Sequence, residues 1–493
     1  MANGSKLEGS MSALDNWDDT NHSLREKTTD DSTFGITEML DGIEAHDSVE
    51  LKRLGQLTLG EGYTLIVRYQ RGQMRLHIWV RSELANDFED IDIKAENTGV
   101  GHVLANKGGI VATLTYKKTR ISFLTAHLAA HEGDANLQTR ISNLKEILRG
   151  TKPKAGFDIG LSSHHSFVIG DLNFRTDFGE LEHEKHVQKA LDMIEKKEWE
   201  KLYSYDELER CMKEKKLLCG FETLPCHFNP TFKVLRESGF KYKTQRTPSY
   251  TDRILWKCAD GLRGNLTPLA YEPCEDFFTS DHKPIRAAFS LVPNKVASQQ
   301  QMVRGYNKQL FDLTFKDMEC KNLTALDIDG FSDPFLVFVS DPPKFMHDGR
   351  SKNKQKKGVS VRLPHAHATK FISKNLNPKW EEKMILNLKP GWDLDTMLNI
   401  TAMDYDAASQ NDTIGTISLN VHKLVSMEEG TDKKEITIEQ PLLKYGTEEG
   451  TIKMKVVVTR FGTEELRRKS IQKQKSGFFR SFRKLGLGRS QTT

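Results

Sequence analysis

VIGDLNFR, residues 168–175, is the stretch that decides the reading. An apolar pair runs into Gly170, a carboxylate follows at Asp171, an amide stands two residues on at Asn173, and Arg175 closes the run. Residues i and i+2 of a strand point to one face. An Asp and an Asn side by side suit a site that activates water and holds a charged oxygen, with a cation close by. Gly, Asp and Asn are also common turn residues, so the octapeptide taken alone reads first as a turn. The surrounding chain decides.

Outward from this stretch, short β-type runs alternate with helical ones between residues 34 and 292. YTLIVRYQ, MRLHIWVR, IVATLTYK, ISFLTAHL and SFVIGDL predict strands. LQTRISNLKEILR and EKHVQKALDMIEKKEWEKL predict helices. Consecutive strands within an α/β pattern point to a mixed sheet. Residues 293–305 have a linker's polar composition. From 306 to 461 the strands are separated by turn-rich loops (QLFDLTFKDM, DPFLVFVS, MLNITAMDYD, TIGTISLNV, TIKMKVVVTRF), the pattern of an all-β sandwich. Residues 1–33 are polar and read as disordered, and residues 462–493 form a basic tail.

The 493 residues carry a net charge of only +4, but the first fifty are acidic and the last thirty basic. No apolar run reaches the eighteen residues that a membrane helix needs, and the N-terminus lacks a signal peptide's apolar core. Six cysteines without CxxC spacing read as reduced thiols. A cytosolic protein with a surface-binding tail is the expectation.

Four further stretches place polar residues at strand ends: TAHLAAH with His127, TPSYTDRILW with Asp252 and Arg253, TSDHKPI with Asp281 and His282, and NKGG with Lys107. Together with VIGDLNFR, and in this order, they resemble the inositol polyphosphate 5-phosphatases of the endonuclease/exonuclease/phosphatase superfamily. The resemblance covers residues 34–292. Nuclease cousins share the Asp-x-Asn and Asp-His elements but not the Asp-Arg-Ile-Leu-Trp block, which disfavours a nuclease. The implied fold is a four-layer α/β sandwich with the site at one end of two packed sheets.

Phosphate monoester hydrolysis needs an activated water, charge neutralisation and a polarising ion. By the resemblance, Asp171 activates water and Asn173 positions it or steadies the transition state. His282, held by Asp281 or a neighbouring carboxylate, contacts the scissile phosphate, while His127 and Asp252 complete the polar ring. Lys107, Lys233 in NPTFKV, Arg246 and Arg253 are the candidate cations for substrate phosphates. Magnesium is the implied ion. The family's Thr-Trp-Asn first strand has no counterpart here beyond Asn16 in ALDNWDD, so that strand is apparently missing. Glu38 in STFGITEML stands where a magnesium-binding Glu belongs, with Thr37 in place of Gln. Tyr250 and Thr251 replace the family's usual Trp and Cys.

In the second half, Asp327 and Asp333 flank a glycine turn, and AMDYDAASQNDTIG supplies Asp404, Asp406 and Asp412. Five carboxylates on two loops repel unless a cation lies between them, and calcium suits such a set. This segment resembles a C2 module, the calcium-dependent phospholipid-binding sandwich, with ATKFISKNLNPKWEE matching its Lys-Thr and Asn-Pro-x-Trp elements. The tail interleaves Arg and Lys with Phe478, Phe479, Phe482 and Leu485, as an interfacial membrane helix or a calmodulin target would. The expected protein is a peripheral membrane phosphatase removing the 5-phosphate of phosphoinositides, with no nucleic-acid partner. A catalytically impaired calcium-dependent adaptor is the second reading.

Overall fold

The computed structural model describes residues 58–72, 74–98, 107–153, 156–295, 309–343, 367–406 and 411–462. β1 (Tyr63–Arg71) and β2 (Met74–Arg81) form a two-stranded hairpin. Residues 58–66 and 79–86 group as a small unit, in which Ser82 N–H donates to Gly62 O at 2.8 Å and Thr64 Oγ1 to Ser82 Oγ at 2.9 Å.

In the main unit, β3 (Phe88–Asn97), β4 (Gly108–Tyr116), β5 (Thr119–His127), β6 (His165–Asp171) and β7 (Asp252–Cys258) are neighbours in chain order in one sheet. β5 and β6 are parallel and every other pair antiparallel, a mixed sheet as expected. Parallel strands need a crossover, supplied by α1 (Asp134–Gly150) and α2 (Ile159–Ser162). β4 is buried over its first seven residues because both faces of the sheet are covered. On one face, Leu137, Ile141, Leu144 and Leu148 repeat at helical spacing along α1 and pack on Val111, Leu124, Val168 and Leu255. Each such side chain taken fully out of water contributes about 1.5–3 kcal/mol.

The other face meets a second sheet, β8 (Leu266–Pro273) paired with β9 (Ile285–Leu291). Phe289 of β9 sets its ring edge-on, 5.1 Å from Phe167 and 5.1 Å from Trp256. Behind it, α3 (His183–Glu195) and α4 (Trp199–Tyr203) contribute Ala190, Met193, Leu202 and Tyr203 to a cluster that Tyr271 and Ile285 join. Helix, sheet, sheet and helix therefore stack in that order, the four-layer sandwich. Among the described residues the second sheet has two strands, and residues 1–57, where Asn16 and Glu38 lie, fall outside them.

The single helix expected over 184–202 is two. The chain breaks at Lys196–Glu198, with Lys197 in the left-handed region at φ 54°, because the run KKE adds charge but no apolar step to hold the helix on the core. α5 (Glu207–Lys213) follows.

The second half is a curled, wholly antiparallel nine-stranded sheet. β10 (Leu310–Lys321), β11 (Pro334–Asp341), β12 (His367–Ala368), β13 (Lys379–Trp380), β14 (Met384–Leu388), β15 (Met397–Asp404), β16 (Asp412–Asn420), β17 (Lys433–Lys444) and β18 (Thr447–Phe461) run in the order β12-β11-β15-β16-β17-β18-β10-β13, with β14 on β10. Its inner face is one core, in which Phe315 and Phe338 meet at 5.0 Å and Phe311 and Trp392 at 6.1 Å.

The two halves share a polar seam. Lys118 pairs with Asp393 at 2.8 Å, Arg120 with Asp341 at 2.8 Å, Lys215 with Glu448 at 2.8 Å and Lys423 with Asp260 at 2.7 Å. His164 is buried in it. Its Nδ1 accepts the Arg120 N–H at 2.8 Å, so its proton sits on Nε2 and points to Asp395 O at 3.2 Å. Burial pushes this imidazole's pKa down to about 3, keeping it neutral. Gly446 closes the β17–β18 turn at φ 76°, and a Cβ there would lie 3.2 Å from Leu218 N. Arg120 and His165 stand near the starts of β5 and β6, whereas His127 and Asp171 end them. The seam and the polar cluster therefore lie at opposite ends of the sheet, about 25 Å apart along a nine-residue strand. All six cysteines are free thiols. No helix among the described residues is long and apolar enough to cross a membrane.

Candidate active site

Sheet register brings the first three residues together. His127 pairs with Asp171 across β5 and β6, and Asp171 pairs with Asp252 across β6 and β7. Residues opposite one another in a ladder share a face, so the imidazole and two carboxylates stand in a row. Gly170 makes the close approach possible: at φ 127° a Cβ would sit 2.2 Å from Ala126 O.

Asp171 and Asn173 are side by side, but strand alternation does not place them so. β6 ends at Asp171, and Asn173 turns into the left-handed region at φ 57°. Turn and site are the same object here. Asn173 N–H donates to Asp171 Oδ1 at 3.1 Å and Asn173 Nδ2 to Asp171 Oδ2 at 3.0 Å, while a second Nδ2 bond reaches Leu128 O at 3.1 Å. Asn173 thus fixes the carboxylate and points no free group outward from Nδ2. Arg175 is buried behind it, donating from Nη2 to Asn173 Oδ1 at 2.5 Å and lying over the Phe232 ring at 4.8 Å.

Asp171 Oδ2 lies 3.2 Å from His127 Nε2, which also touches Lys107 Nζ. Burial by itself would raise the Asp171 pKa. The His127 hydrogen bond and the charges of His282, His127 and Lys107 outweigh it and hold the carboxyl below its ordinary value. Burial is also the main cause that lowers the Lys107 pKa, with Asp171 opposing.

His282 arrives from the loop before β9, where Phe232 bridges it and sets a tilted ring 4.5 Å from the imidazole. Its Nδ1 meets Asp252 Oδ2 at 3.0 Å, so Asp252, and not Asp281, is the carboxylate that holds it. Asp281 instead lies 3.7 Å from Lys233 Nζ. Burial lowers the His282 pKa, but the bond to Asp252 and the charges of Asp252, Asp171 and Asp281 raise it above its ordinary value overall. Thr231 Oγ1 at 2.7 Å and Thr251 Oγ1 at 2.9 Å also donate to Asp252 Oδ2. Neither hydroxyl was read from the sequence as a donor to the site: Thr251 was noted only in place of the family's Cys, and Thr231 stands two residues before Lys233 in NPTFKV.

Arg253 is a correction. It is 0% exposed and pairs with Asp206 at 2.7 Å and with Tyr203 Oη at 2.6 Å. Alternation along β7 sends Asp252 to the site and Arg253 into the interior, so Arg253 cannot touch a substrate. Arg246 is half-buried on the loop before Thr247, its Nη1 3.3 Å from Gln245 O.

Among the described residues, Asp171, Asp252 and His282 are the one set of three whose ligand-type atoms lie within 4.8 Å of one another. Two carboxylates, one of them held ionised, fit a hard divalent ion.

The aspartates of the second half gather differently. Asp404 Oδ1 accepts the Asp333 N–H at 2.6 Å, and Asp333 Oδ1 accepts Ser373 Oγ at 3.0 Å and Lys374 N–H at 2.7 Å. Asp412 stands opposite Asp404 in the ladder, and Asp406 N–H donates to Asn411 Oδ1 at 3.0 Å. Desolvation first, then the charges of Asp329, Asp406 and Asp333, raise the Asp327 pKa; desolvation, Asp327 and Asp406 raise that of Asp404. Asp329, not singled out in the sequence, pairs with Lys374 at 2.7 Å. A divalent cation suits this mutually repelling oxygen set. The basic tail lies outside the described residues.

The family model described as endonuclease/exonuclease/phosphatase family 2 matches residues 22–288, and the C2 domain model matches residues 311–436. A phosphatidylinositol 3,4,5-trisphosphate 5-phosphatase 2B of Danio rerio is 32% identical over 231 residues, 44% of this chain and 18% of that protein. A phosphatidylinositol 3,4,5-trisphosphate 5-phosphatase 2 of Sus scrofa is 25% identical over 461 residues, 89% of this chain and 33% of that one. The chain thus spans a third or less of these two relatives. The inositol polyphosphate 5-phosphatase domain of SPsynaptojanin, solved with inositol (1,4)-bisphosphate and calcium ion, is 25% identical, covering 52% of this chain and 76% of that chain at a TM-score of 0.42. That score is too low to establish a shared fold.

Proposed function

This chain belongs to endonuclease/exonuclease/phosphatase family 2, with a C2 domain after it, and from that membership we propose that it hydrolyses the 5-phosphate of phosphoinositides. The names of the relatives support the substrate class. The observation that carries the chemistry is the convergence of Asp171 and the Asp252–His282 pair within 4.8 Å.

The roles follow from protonation state. Asp171, held ionised by His127 and Lys107, accepts a proton from the attacking water. Asn173 locks both carboxylate oxygens through its N–H and Nδ2, fixing the direction of that transfer. His282, its pKa raised by Asp252, carries positive charge toward the scissile phosphate and stabilises the negative charge that spreads over its oxygens. Lys107 and Lys233 would meet the remaining phosphates. Magnesium, held by the Asp171 and Asp252 carboxylates, would supply Lewis-acid polarisation of the phosphoryl oxygen; Glu38, the ligand expected from the sequence, lies outside the described residues. In the C2 domain, Asp327, Asp333, Asp404, Asp406 and Asp412 would hold calcium and bring the chain to an anionic bilayer, with the basic tail as a second contact. We take residues 34–292 as the catalytic domain and 306–461 as the C2 domain.

Phosphate release from phosphatidylinositol 4,5-bisphosphate vesicles with magnesium, beside Asp171→Ala, tests the reading. Release that disappears in the variant is expected. No release from protein that still binds vesicles with calcium overturns it in favour of the adaptor.

A further inference from the structure

α1 lies on the crossover between the parallel strands β5 and β6, and one of its side chains reaches toward the loops beyond both. Arg140 is 0% exposed. Its Nη1 donates to His131 O at 2.7 Å and to Ala129 O at 3.3 Å, in the loop after β5. Its Nη2 donates to Glu207 Oε2 at 2.6 Å, and the Phe174 ring lies 5.4 Å from the guanidinium carbon. Glu207, the first residue of α5, grips the loop after β6. The same Oε2 accepts the Arg175 N–H at 2.8 Å, and Glu207 N–H donates to Arg175 O at 2.9 Å. The two side chains of the pair are 0% and 4% exposed.

The two loops meet at the proposed proton acceptor. Leu128 N–H donates to Asp171 O at 3.1 Å, and Leu128 O accepts Asn173 Nδ2 at 3.1 Å. Arg175 donates from Nε to Asn173 O at 2.9 Å and from Nη2 to Asn173 Oδ1 at 2.5 Å. With Oδ1 taken by a guanidinium, the amide turns Nδ2 toward Asp171. The direction of the Asp171 carboxylate thus depends on Asn173, that of Asn173 on Arg175 and Leu128, and the places of both loops on Arg140 and Glu207.

Stability alone does not call for such a pair. A buried Arg–Glu pair gives up hydration that its attraction barely returns, and apolar side chains of similar volume often serve a core as well. What this guanidinium and carboxylate do, and apolar side chains cannot, is bind the backbone C=O groups of one loop and an N–H of the other at once.

We propose that Arg140 and Glu207 are positioning residues, a buried clamp that holds the loops after β5 and β6 against each other and so aims the Asp171 carboxylate. The effect on turnover rests on the phosphatase reading; the clamp itself does not.

The test is the double variant Arg140→Met/Glu207→Met in the full chain, which replaces the pair with apolar side chains. Beside it stands Glu207→Gln, which keeps the shape and an acceptor oxygen but gives up the charge. kcat and KM are measured on soluble inositol 1,4,5-trisphosphate, and melting temperature by calorimetry. Amide hydrogen exchange is followed on peptides covering residues 128–133 and 172–177, with β4 for comparison. The double variant is expected to melt within about 5 °C of the wild type. Its two loop peptides should exchange about tenfold faster or more while β4 is unchanged, because the Arg175 N–H has lost its acceptor. Its kcat should fall about 10²-fold at unchanged KM, the cost of misplacing a reacting group by about 1 Å. Glu207→Gln should show a smaller loss of kcat in the same direction. Unchanged kcat in either variant overturns the proposal, as does a loss that lies in KM or unchanged exchange in the loops. Faster exchange in β4 along with the loops also overturns it, since the pair then only stabilises the fold. If the double variant does not fold, Glu207→Gln decides on the same terms. A wild-type chain that releases no phosphate, while the loop peptides of the variants still exchange faster, ends the phosphatase reading and leaves the clamp standing.

Discussion

The chain holds two clusters of carboxylates, and they differ in what neutralises them. At the end of the mixed sheet every acid already has a partner: Asp171 has His127 and both donors of Asn173, and Asp252 has His282, Thr231 and Thr251. In the C2 loops Asp333, Asp404 and Asp329 accept from loop donors, and desolvation first, then the charges of neighbouring aspartates, raise the pKa of Asp327 and Asp404. The first cluster is pre-organised by the protein. The second keeps repulsion among its aspartates that a cation would relieve. On the proposed function, one would act on a bound group and the other would respond to an ion.

The sharpest way to break this contrast is at Asp171. Asp171→Ala removes the proposed proton acceptor and should lower kcat about 10³-fold, within the range for general-base removal. A drop smaller than about tenfold, measured on soluble substrate at saturating magnesium, would mean that the cluster is structural.

Next comes Asp252→Asn. The carboxylate raises the His282 pKa, so its loss should bring that pKa back down. Activity that needs charged His282 is lost as pH rises through its folded pKa, and in the variant this limb should move to lower pH, with kcat at neutral pH down about 10²-fold. Stability has the matching sign. The raised His282 contributes below its unfolded value of 6.5 and loses that contribution as pH rises through the folded pKa. An unmoved limb would detach His282 from Asp252.

The C2 cluster should respond in the opposite sense. Asp327 and Asp404 have raised pKa values, so the folded state binds their protons more tightly than the unfolded state. In calcium-free buffer, stability should rise as pH falls through their folded pKa, whereas the lowered pKa of Asp171 makes its contribution fall in the acid range. Calcium should raise the melting temperature at neutral pH. Asp327→Asn should raise the calcium-free melting temperature and blunt the calcium response, read by scanning calorimetry. If Asp327→Asn lowers the calcium-free melting temperature, the repulsion is not the governing term.

How legible this was differs by residue. Asp171, Asn173 and His282 were readable because chemistry and motif coincide in a few adjacent letters. The holder of His282 was not: Asp281 is its chain neighbour, but register across β6 and β7 delivers Asp252. Arg253 was misread because adjacency in sequence ignores alternation, which sends it to Asp206. β3, read in letters as FEDIDIKAEN, was missed because its charges mask a half-buried edge strand. β8 and β9 alternate half-buried and exposed positions, so their apolar signal is weak. The split between α3 and α4 depends on one left-handed lysine that no periodicity shows. The apolar runs of β4, β5 and β6 were legible because burial on both faces leaves polar letters little room.

The smallest expected effect lies at the seam that joins the two clusters' domains. Arg120 and Asp341 meet at 2.8 Å with side chains 25% and 23% exposed. Such a pair contributes about 1 kcal/mol or less, because water still screens it. Asp341→Asn keeps an acceptor for the guanidinium and removes only the charge. It should lower the melting temperature by about 1–3 °C and leave kcat on soluble substrate unchanged, since the seam lies at the end of the sheet away from Asp171. The informative part is the shape of the transition. The seam buries His164 as a neutral imidazole bonded across to Asp395, and Gly446 packs against Leu148 and Leu218, so separating the halves would expose a buried junction. One calorimetric transition, raised by calcium and lowered by Asp341→Asn, is therefore expected. Two transitions, of which calcium moves only one, would show that the ion-responsive cluster and the pre-organised one are stabilised independently.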